Sequence, residues 1–288
     1  MTITRRKFLK ISLASALGTT LAGVGGFAYA HDIEPGWIEV APVEVVLPRL
    51  GMAFDGYKLV QFSDIHIDGG KTNDHLQRVI ELVNAQQPDA IAITGDFVTH
   101  TSAAAIAPAL VEPLQKLRPK DITVAVLGNH DHWTDPDGVR AVLRDSGITD
   151  LSNTVYTVER EGAALHLAGV DDYWERLDRL DAVLAALPDA GAAVLLAHEP
   201  DYADISAATG RFDLQLSGHS HGGQVIIPLI GPLVLPSYAE KYPIGRYQVG
   251  GMIQYTNRGV GTISPAVRFN CRPEITVFTL RAGSPTAA

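Results

Sequence analysis

The sequence predicts an α/β fold built in layers, and three observations carry that expectation. Short strands rich in Ile, Val and Ala alternate with stretches at helical spacing through most of the chain, the order that gives parallel β-α-β units. Past Gly223 the pattern becomes mostly strand, which points to a second sheet or an antiparallel extension. The 288 residues are 46% hydrophobic and 19% charged, with a mean hydropathy of +0.10, enough apolar material for a large core and no compositional bias.

The elements follow in order. Trp37 to Val46 alternates and is rich in β-formers, an opening strand. Leu59-Val60-Gln61-Phe62 is a short strand that ends at Ser63-Asp64. Leu76, Val79, Ile80 and Val83 recur at helical spacing and predict a helix over Asn73 to Gln86. Ala90 to Thr94 reads as a buried strand ending at Gly95-Asp96. A helix is expected over Ala103 to Leu117, shortened by Pro108 and Pro113. Ile122 to Leu127 is a third strand, ending at Gly128-Asn129-His130, and a helix runs from about Asp137 to Asp145. Leu165 to Val170 is strand-like, and Leu177, Leu180 and Leu184 mark another helix. Ala193 to Ala197 is a strand ending at His198, and Leu214 to Leu216 one ending at Gly218-His219. Met252 to Thr256 and Ile275 to Leu280 close the strand-rich part.

The first thirty residues stand apart. Arg5, Arg6, Lys7 and Lys10 occur with no acid, Ile11 to Ala30 is uncharged, and Phe27-Ala28-Tyr29-Ala30 ends in a small-x-small pattern. A basic start, an apolar middle and a small-residue end are the layout of an export leader. Thr4-Arg5-Arg6-Lys7-Phe8-Leu9-Lys10 looks like the twin-arginine consensus, which implies a twin-arginine translocase as partner and an exported protein, periplasmic or on the outer face of the cytoplasmic membrane. The glycines and threonines of the run make it only mildly apolar, which favours cleavage after Ala30 over a retained anchor. No repeat, charge run or linker divides residues 31–288, which are expected to form a single catalytic domain.

Lys plus Arg number 23 against 32 Asp plus Glu, a net charge of −9. Such an acidic chain is a poor general binder of nucleic acid, and no nucleic-acid-binding surface is predicted; a monomer is expected. The single cysteine, Cys271, excludes an intramolecular disulfide framework.

The residues able to do chemistry sit at the carboxyl ends of successive strands: Asp64 and His66, Asp96, Asn129 and His130, His198, then His219 and His221. In open α/β sheets that edge is where ligands bind. Carboxylate, amide and imidazole donors without a thiolate suit divalent first-row metals such as Mn, Fe or Zn. Seven or more donors exceed what one tetrahedral ion takes. They suit two ions sharing a carboxylate at roughly 3.5–4 Å, a pair that clamps a phosphoryl group and holds a hydroxide as nucleophile.

The ordered blocks Asp64-Ile65-His66, Gly95-Asp96, Gly128-Asn129-His130-Asp131, His198 and Gly218-His219-Ser220-His221 resemble the calcineurin-like metallophosphoesterase superfamily. With Gly222-Gly223-Gln224, Asn257-Arg258-Gly259 and the twin-arginine start, the chain is similar to its exported bacterial YkuE/YaeI-like phosphodiesterase branch. The resemblance implies an α/β/β/α sandwich with two central mixed β-sheets. It also implies dinuclear-metal hydrolysis of phosphoesters, with diesters favoured and an envelope-derived or lipid-linked substrate within range. Residue by residue it puts Asp64, His66 and His221 on one ion, Asn129, His198 and His219 on the other, and Asp96 as the bridge. His130 stabilises the transition state or protonates the leaving oxygen. In the phosphoprotein phosphatase branch an acid three residues after the bridging Asp orients that His; Thr99 stands there in this chain.

His75, His100, His132 and His166 match no block and are read as non-ligands. Gly218-His219-Ser220-His221-Gly222 also fits the G-x-S-x-G elbow of serine hydrolases, but Gln224 to Pro228 is extended where an elbow needs a helix. A metal-binding protein without catalysis is the remaining alternative, although no expected ligand is missing. Arg258 is balanced between a phosphate clamp and an ordinary strand-end arginine. Trp133, Tyr173 and Trp174 fall in loops near the metal edge and are candidates for shaping the substrate pocket.

Overall fold

A computed structural model describes residues 23–68 and 73–283; the Thr4–Lys10 motif lies outside them. The chain enters through a helical stretch at 23–28 and a single π-turn, Tyr29–Ile33. Strand β1 spans Glu39–Leu47, β2 Tyr57–Phe62, β3 Ala90–Thr94, β4 Ile122–Val126 and β5 Thr149–Asp150. Between them run helices α1 (Asn73–Ala85) and α2 (Ala107–Leu114), and after β4 come α3 (Asn129–Thr134) and α4 (Pro136–Asp145). Strands β6 (Thr154–Arg160), β7 (Ala163–Gly169), β8 (Ala192–Leu196) and β9 (Leu214–Ser217) follow, with α5 (Leu180–Ala186) and α6 (Ala203–Ala208) between them. The chain ends with β10 (Ile226–Ile227), β11 (Gly231–Pro232), β12 (Gly245–Val249), β13 (Met252–Thr256) and β14 (Glu274–Ala282).

Two six-stranded mixed sheets result, in the orders β1-β14-β2-β3-β4-β5 and β12-β13-β9-β8-β7-β6. Strand parity explains how they stack. Along β3, Ala90 and Ala92 face the second sheet, packing with Leu167, Val194, Leu214 and Leu216. Ile91 and Ile93 point the other way, onto Leu76, Val79 and Val83 of α1 and Leu110 of α2, because successive side chains leave opposite faces. On β8 the same alternation sends Ala193 and Leu195 outward to Val183 of α5 and Ala203 of α6. Three apolar layers therefore separate helix, sheet, sheet and helix, the α/β/β/α order the resemblance implies.

Most boundaries agree with the periodicity to within a few residues. The helix expected over Ala103 to Leu117 contracts to Ala107–Leu114: Pro108 is accommodated in the first turn and Pro113 lies inside. The strand-rich reading of the region after Gly223 is too generous. Residues 224–244 form only the two-residue strands β10 and β11, paired as a small hairpin, and are otherwise loop. Strand β6, which is half-exposed, and the six-residue α3 carry too little apolar periodicity to stand out. Ala30, the expected cleavage point, is 8% exposed, and its carbonyl accepts a hydrogen bond from Arg268 N (2.8 Å).

Candidate metal centre

Strands β2, β3, β4, β8 and β9 all stop at one edge, and the next residues turn inward. Five of the seven candidate donors, Asp64, His66, Asp96, His219 and His221, have φ between 49° and 68°. Asp and His tolerate this left-handed region better than most residues. It lets each loop reverse within one or two residues of its strand. Glycines provide the close approaches: a Cβ on Gly128 would overlap Asp96 Oδ1, and one on Gly218 would overlap Ser63 Oγ and Asp64 Oδ2.

Two groups of donors emerge. Asp64, His66 and His221 have ligand atoms within 4.8 Å of one another, and so do Asp96, His198 and His219. His66 Nε2 lies 3.0 Å from His221 Nε2, and His219 Nδ1 lies 3.2 Å from His198 Nε2. Asp96 Oδ2 sits between the groups, 3.4 Å from His66 Nε2 and 3.2 Å from His198 Nε2. All six are buried, as is Asn129. Buried polar atoms normally find partners, yet Asn129 Oδ1 and His221 Nδ1 have none. Orphaned donors beside converging imidazoles and carboxylates are what a metal site looks like from the protein side, and the donor set fits two divalent ions.

The surroundings fix which atom each ring presents. His198 Nδ1 is 2.6 Å from the Thr94 carbonyl and His219 Nε2 is 3.0 Å from the Ser237 carbonyl, so the opposite nitrogens face the site. His66 Nδ1 is 3.1 Å from Thr99 Oγ1; Thr99 therefore orients His66 rather than His130. Asp64 accepts from the backbone N–H of His219. Such outer partners set ligand tautomer and direction.

Protonation is contested among these buried groups. Burial, reinforced by the charge of Asp96, pushes Asp64 up to about 7. Burial also opposes ionisation of Asp96, but the charge of His198 and its hydrogen bond hold that carboxyl well below its usual range. Burial and the charge of His198 bring His219 down to about 3, and burial with the charge of His66 lowers His221. Neighbours driven in opposite directions mark a tightly interacting cluster of the kind found at functional sites.

Asp131 follows His130 in sequence but points away from it. Its Oδ2 accepts from the backbone N–H groups of Asp96 (2.9 Å) and Gly128 (3.0 Å), and its Oδ1 from Phe97 (2.8 Å) and Val98 (3.1 Å). One carboxylate thus ties the β3 loop to the start of α3. Asp131→Asn turns an amide NH₂ toward two of those donors. Each stranded buried donor costs about 1–3 kcal/mol, so metal-loaded Asp131→Asn is expected to melt at least about 4 °C below the parent. An unchanged melting temperature would contradict the tie.

His130 is held without a carboxylate. Its backbone N–H donates to Asp96 Oδ1 (3.0 Å). Its ring packs edge-on against His66 and Trp133, each with centroids 5.0 Å away, while Nδ1 is buried and unpartnered. A cavity of about 380 Å³ opens beside it, lined by Asp96, Asn129, His130, His219, Trp133 and Trp174 among others. Trp133 packs on Trp174 (5.5 Å), and Trp174 on His219 (5.6 Å). The Trp174 loop is held by Glu199, whose carboxylate accepts from the backbone N–H groups of Tyr173 and Trp174. Burial and the charge of Asp172 raise the Glu199 carboxyl well above its usual range. Neither Glu199 nor Asp172 was visible as a site residue, because a single acid at a strand end has no periodic or motif signal.

Arg258 is not brought to the cavity. Its guanidinium is bound by Glu274 and by Glu39 at 3.1 Å, which makes it a strand-end cross-link rather than a phosphate clamp. Ser220 donates to the Pro243 carbonyl (2.6 Å) and enters only a three-residue turn, His221–Gly223, so the serine-hydrolase elbow lacks its helix. His132 pairs with Asp171 (2.7 Å), His166 contacts the Ala190 carbonyl, and His75 contacts that of Val260; none joins a donor group.

Two three-donor groups, the Asp96 carboxylate of one reaching His66 of the other, where the ends of two sheets meet, suit a metal-dependent hydrolase of the dinuclear kind. Residues 57–223 match the calcineurin-like phosphoesterase family, and the chain belongs to that family: it is a phosphoester hydrolase. It is 35% identical to the uncharacterized metallophosphoesterase YkuE of Bacillus subtilis over 97% of this chain and 98% of that one. It is 31% identical to phosphodiesterase YaeI of Escherichia coli, covering 96% and 99%. A transmembrane protein with metallophosphoesterase domain from Danio rerio is 31% identical, covering 84% of this chain and 57% of its own length. Among the described residues here, no helix is long and apolar enough to cross a membrane.

Proposed function

We propose that the chain is an exported phosphodiesterase working with two divalent ions. Asp64, His66 and His221 would hold one ion, Asn129, His198 and His219 the other, and Asp96 would serve both. The observation that carries the reading is the position of Asp96 Oδ2 between His66 Nε2 and His198 Nε2. Mn, Fe and Zn all accept this donor set. Such ions, when bound, offset the charge of a phosphoryl group and lower the pKa of water. The protein's own residues do the rest. Thr94, Thr99 and Ser237 keep the imidazoles aimed, and His130 donates a proton to the departing ester oxygen. Trp133 and Trp174 receive an organic substituent of the ester. A cavity with this much apolar wall favours a diester, which carries two substituents, over a monoester, and the phosphodiesterase name of the Escherichia coli relative agrees. The test is metal analysis of the purified protein beside turnover of bis(p-nitrophenyl) phosphate and p-nitrophenyl phosphate. Close to two ions per chain with faster diester turnover is expected; a loaded protein inert on both esters would leave a binding protein.

Residues 31–288 form the catalytic unit, monomeric, and residues 1–30 address the chain to the twin-arginine translocase. The donors run from Asp64 to His221, so the site exists only once most of the domain has folded, and metal binding is coupled to that folding. Arg5→Lys combined with Arg6→Lys is expected to keep the precursor in the cytoplasm, folded and active in lysates. Fractionation with an assay on each fraction checks this; normal amounts of the double variant outside the cytoplasm would mean that export takes another route.

A further inference from the structure

From Gly222 to Ala239 the chain carries no charged residue. In the middle of this run the β10–β11 hairpin projects Leu229, fully exposed, and Ile230, 75% exposed, and the following arm exposes Leu233 and Val234. Soluble surfaces scatter single apolar residues but do not cluster large aliphatic ones on a projecting tip. Leu233 and Val234 also line the same cavity as His130 and His219, so one arm of the hairpin is a wall of the metal-centre cavity.

The base of the hairpin rests on Phe269. Ile226 N donates to the Phe269 carbonyl and Phe269 N to that of Gln224, both at 2.9 Å. On its other side Phe269 meets Tyr29, with ring centroids 6.3 Å apart, and Arg268 N holds the Ala30 carbonyl. The segment by which the chain enters the domain is therefore seated beside the hairpin, and it exposes Val24, Phe27 and Ile33. Twelve further uncharged residues, Ile11 to Ala22, precede it in the sequence.

We propose that this face, the β10–β11 hairpin tip and the arm that follows it, docks into the interface of a lipid bilayer and opens the metal-centre cavity onto it, so that the phosphoester taken is one borne on a lipid. The substrate part rests on the phosphoesterase reading; the docking part does not. Interfacial anchors bury apolar side chains about 5–10 Å deep and need no spanning helix. Exposed hairpin backbone does not enter hydrocarbon, so only the Leu229 and Ile230 side chains go deep. Protein partners are met by surfaces with aromatic and arginine anchors inside a polar rim; a projecting aliphatic tip within an uncharged run matches lipid instead. The acidic net charge selects neutral or zwitterionic headgroups over anionic ones.

The full chain carrying Ile230→Cys, labelled with a polarity-sensitive fluorophore, is reconstituted with phosphatidylcholine vesicles; Cys271 is buried and burial raises its thiol pKa, so it stays unlabelled. The expected result is a blue shift and quenching by nitroxide-bearing lipid at position 230, and neither for Glu112→Cys on the exposed side of α2. A label at 230 that stays in water overturns docking. So does one that becomes buried without lipid as protein concentration rises, since a second copy of the chain would then cover the tip. In the metal-loaded protein, Leu229→Asp with Ile230→Asp is expected to lower turnover of a vesicle-borne phosphatidyl ester by about tenfold or more and to leave a water-soluble nitrophenyl diester unchanged. Equal effects on both esters overturn the lipid substrate. Inactivity on both in the unaltered protein, with docking intact, removes the phosphoesterase reading alone.

Discussion

Asp96→Asn is expected to lower kcat by more than 10²-fold while the domain stays folded. Mutating residues that merely orient ligands commonly costs about 10–100-fold in metal affinity or activity, and Asp96 stands closer than that. Its Oδ2 lies between the two donor groups, so an amide there weakens both at once. Its Oδ1 accepts the backbone N–H of His130, a bond the amide oxygen can still accept, so the start of α3 keeps its place. The measurement is metal stoichiometry together with kcat on a chromogenic diester. Near-parental turnover at full metal content would remove Asp96 from its shared position.

His130→Ala is expected to behave differently, keeping its metals and losing about 10² to 10⁴ in kcat, the usual range for a positioned proton donor. The loss should depend on the leaving group. A nitrophenolate departs without help, so the variant approaches the parent on nitrophenyl esters and falls furthest behind on alkyl esters. Equal losses across leaving groups would assign His130 to transition-state charge rather than to proton transfer. Because Trp133 leans on the same ring, His130→Gln, which retains bulk, separates lost chemistry from a collapsed wall.

The donor groups were legible because their residues end consecutive strands. Apolar runs such as Ala90–Thr94 announce where a buried strand stops, and the next polar residue is carried to the sheet edge by topology. Orientation was less accessible. Thr99 follows Asp96 by three residues, but the left-handed turn at Asp96 carries its hydroxyl to His66, and no spacing rule records such a turn. Asp131 bonds backbone N–H groups, which every residue possesses and no sequence displays. Arg258 was ambiguous for a similar reason: whether a guanidinium meets a phosphate or Glu274 depends on the distant strand β14. The stretch 224–244 looks like strand because β-formers fill it, but only five of its residues find β-partners, and aliphatic side chains lacking a sheet are left in solvent.

The left-handed backbone at five of the donor residues has one further consequence. Each such non-glycine conformation carries a cost of order 1–3 kcal/mol, so together they store on the order of 5 kcal/mol, a sizeable share of the 5–15 kcal/mol that holds a typical domain together. Packing and a mesh of hydrogen bonds, those of Asp131 and Asp64 among them, hold that strain; ligated ions would favour the same arrangement. Local order at the strand ends and metal occupancy are then coupled, while the three apolar layers hold the domain itself.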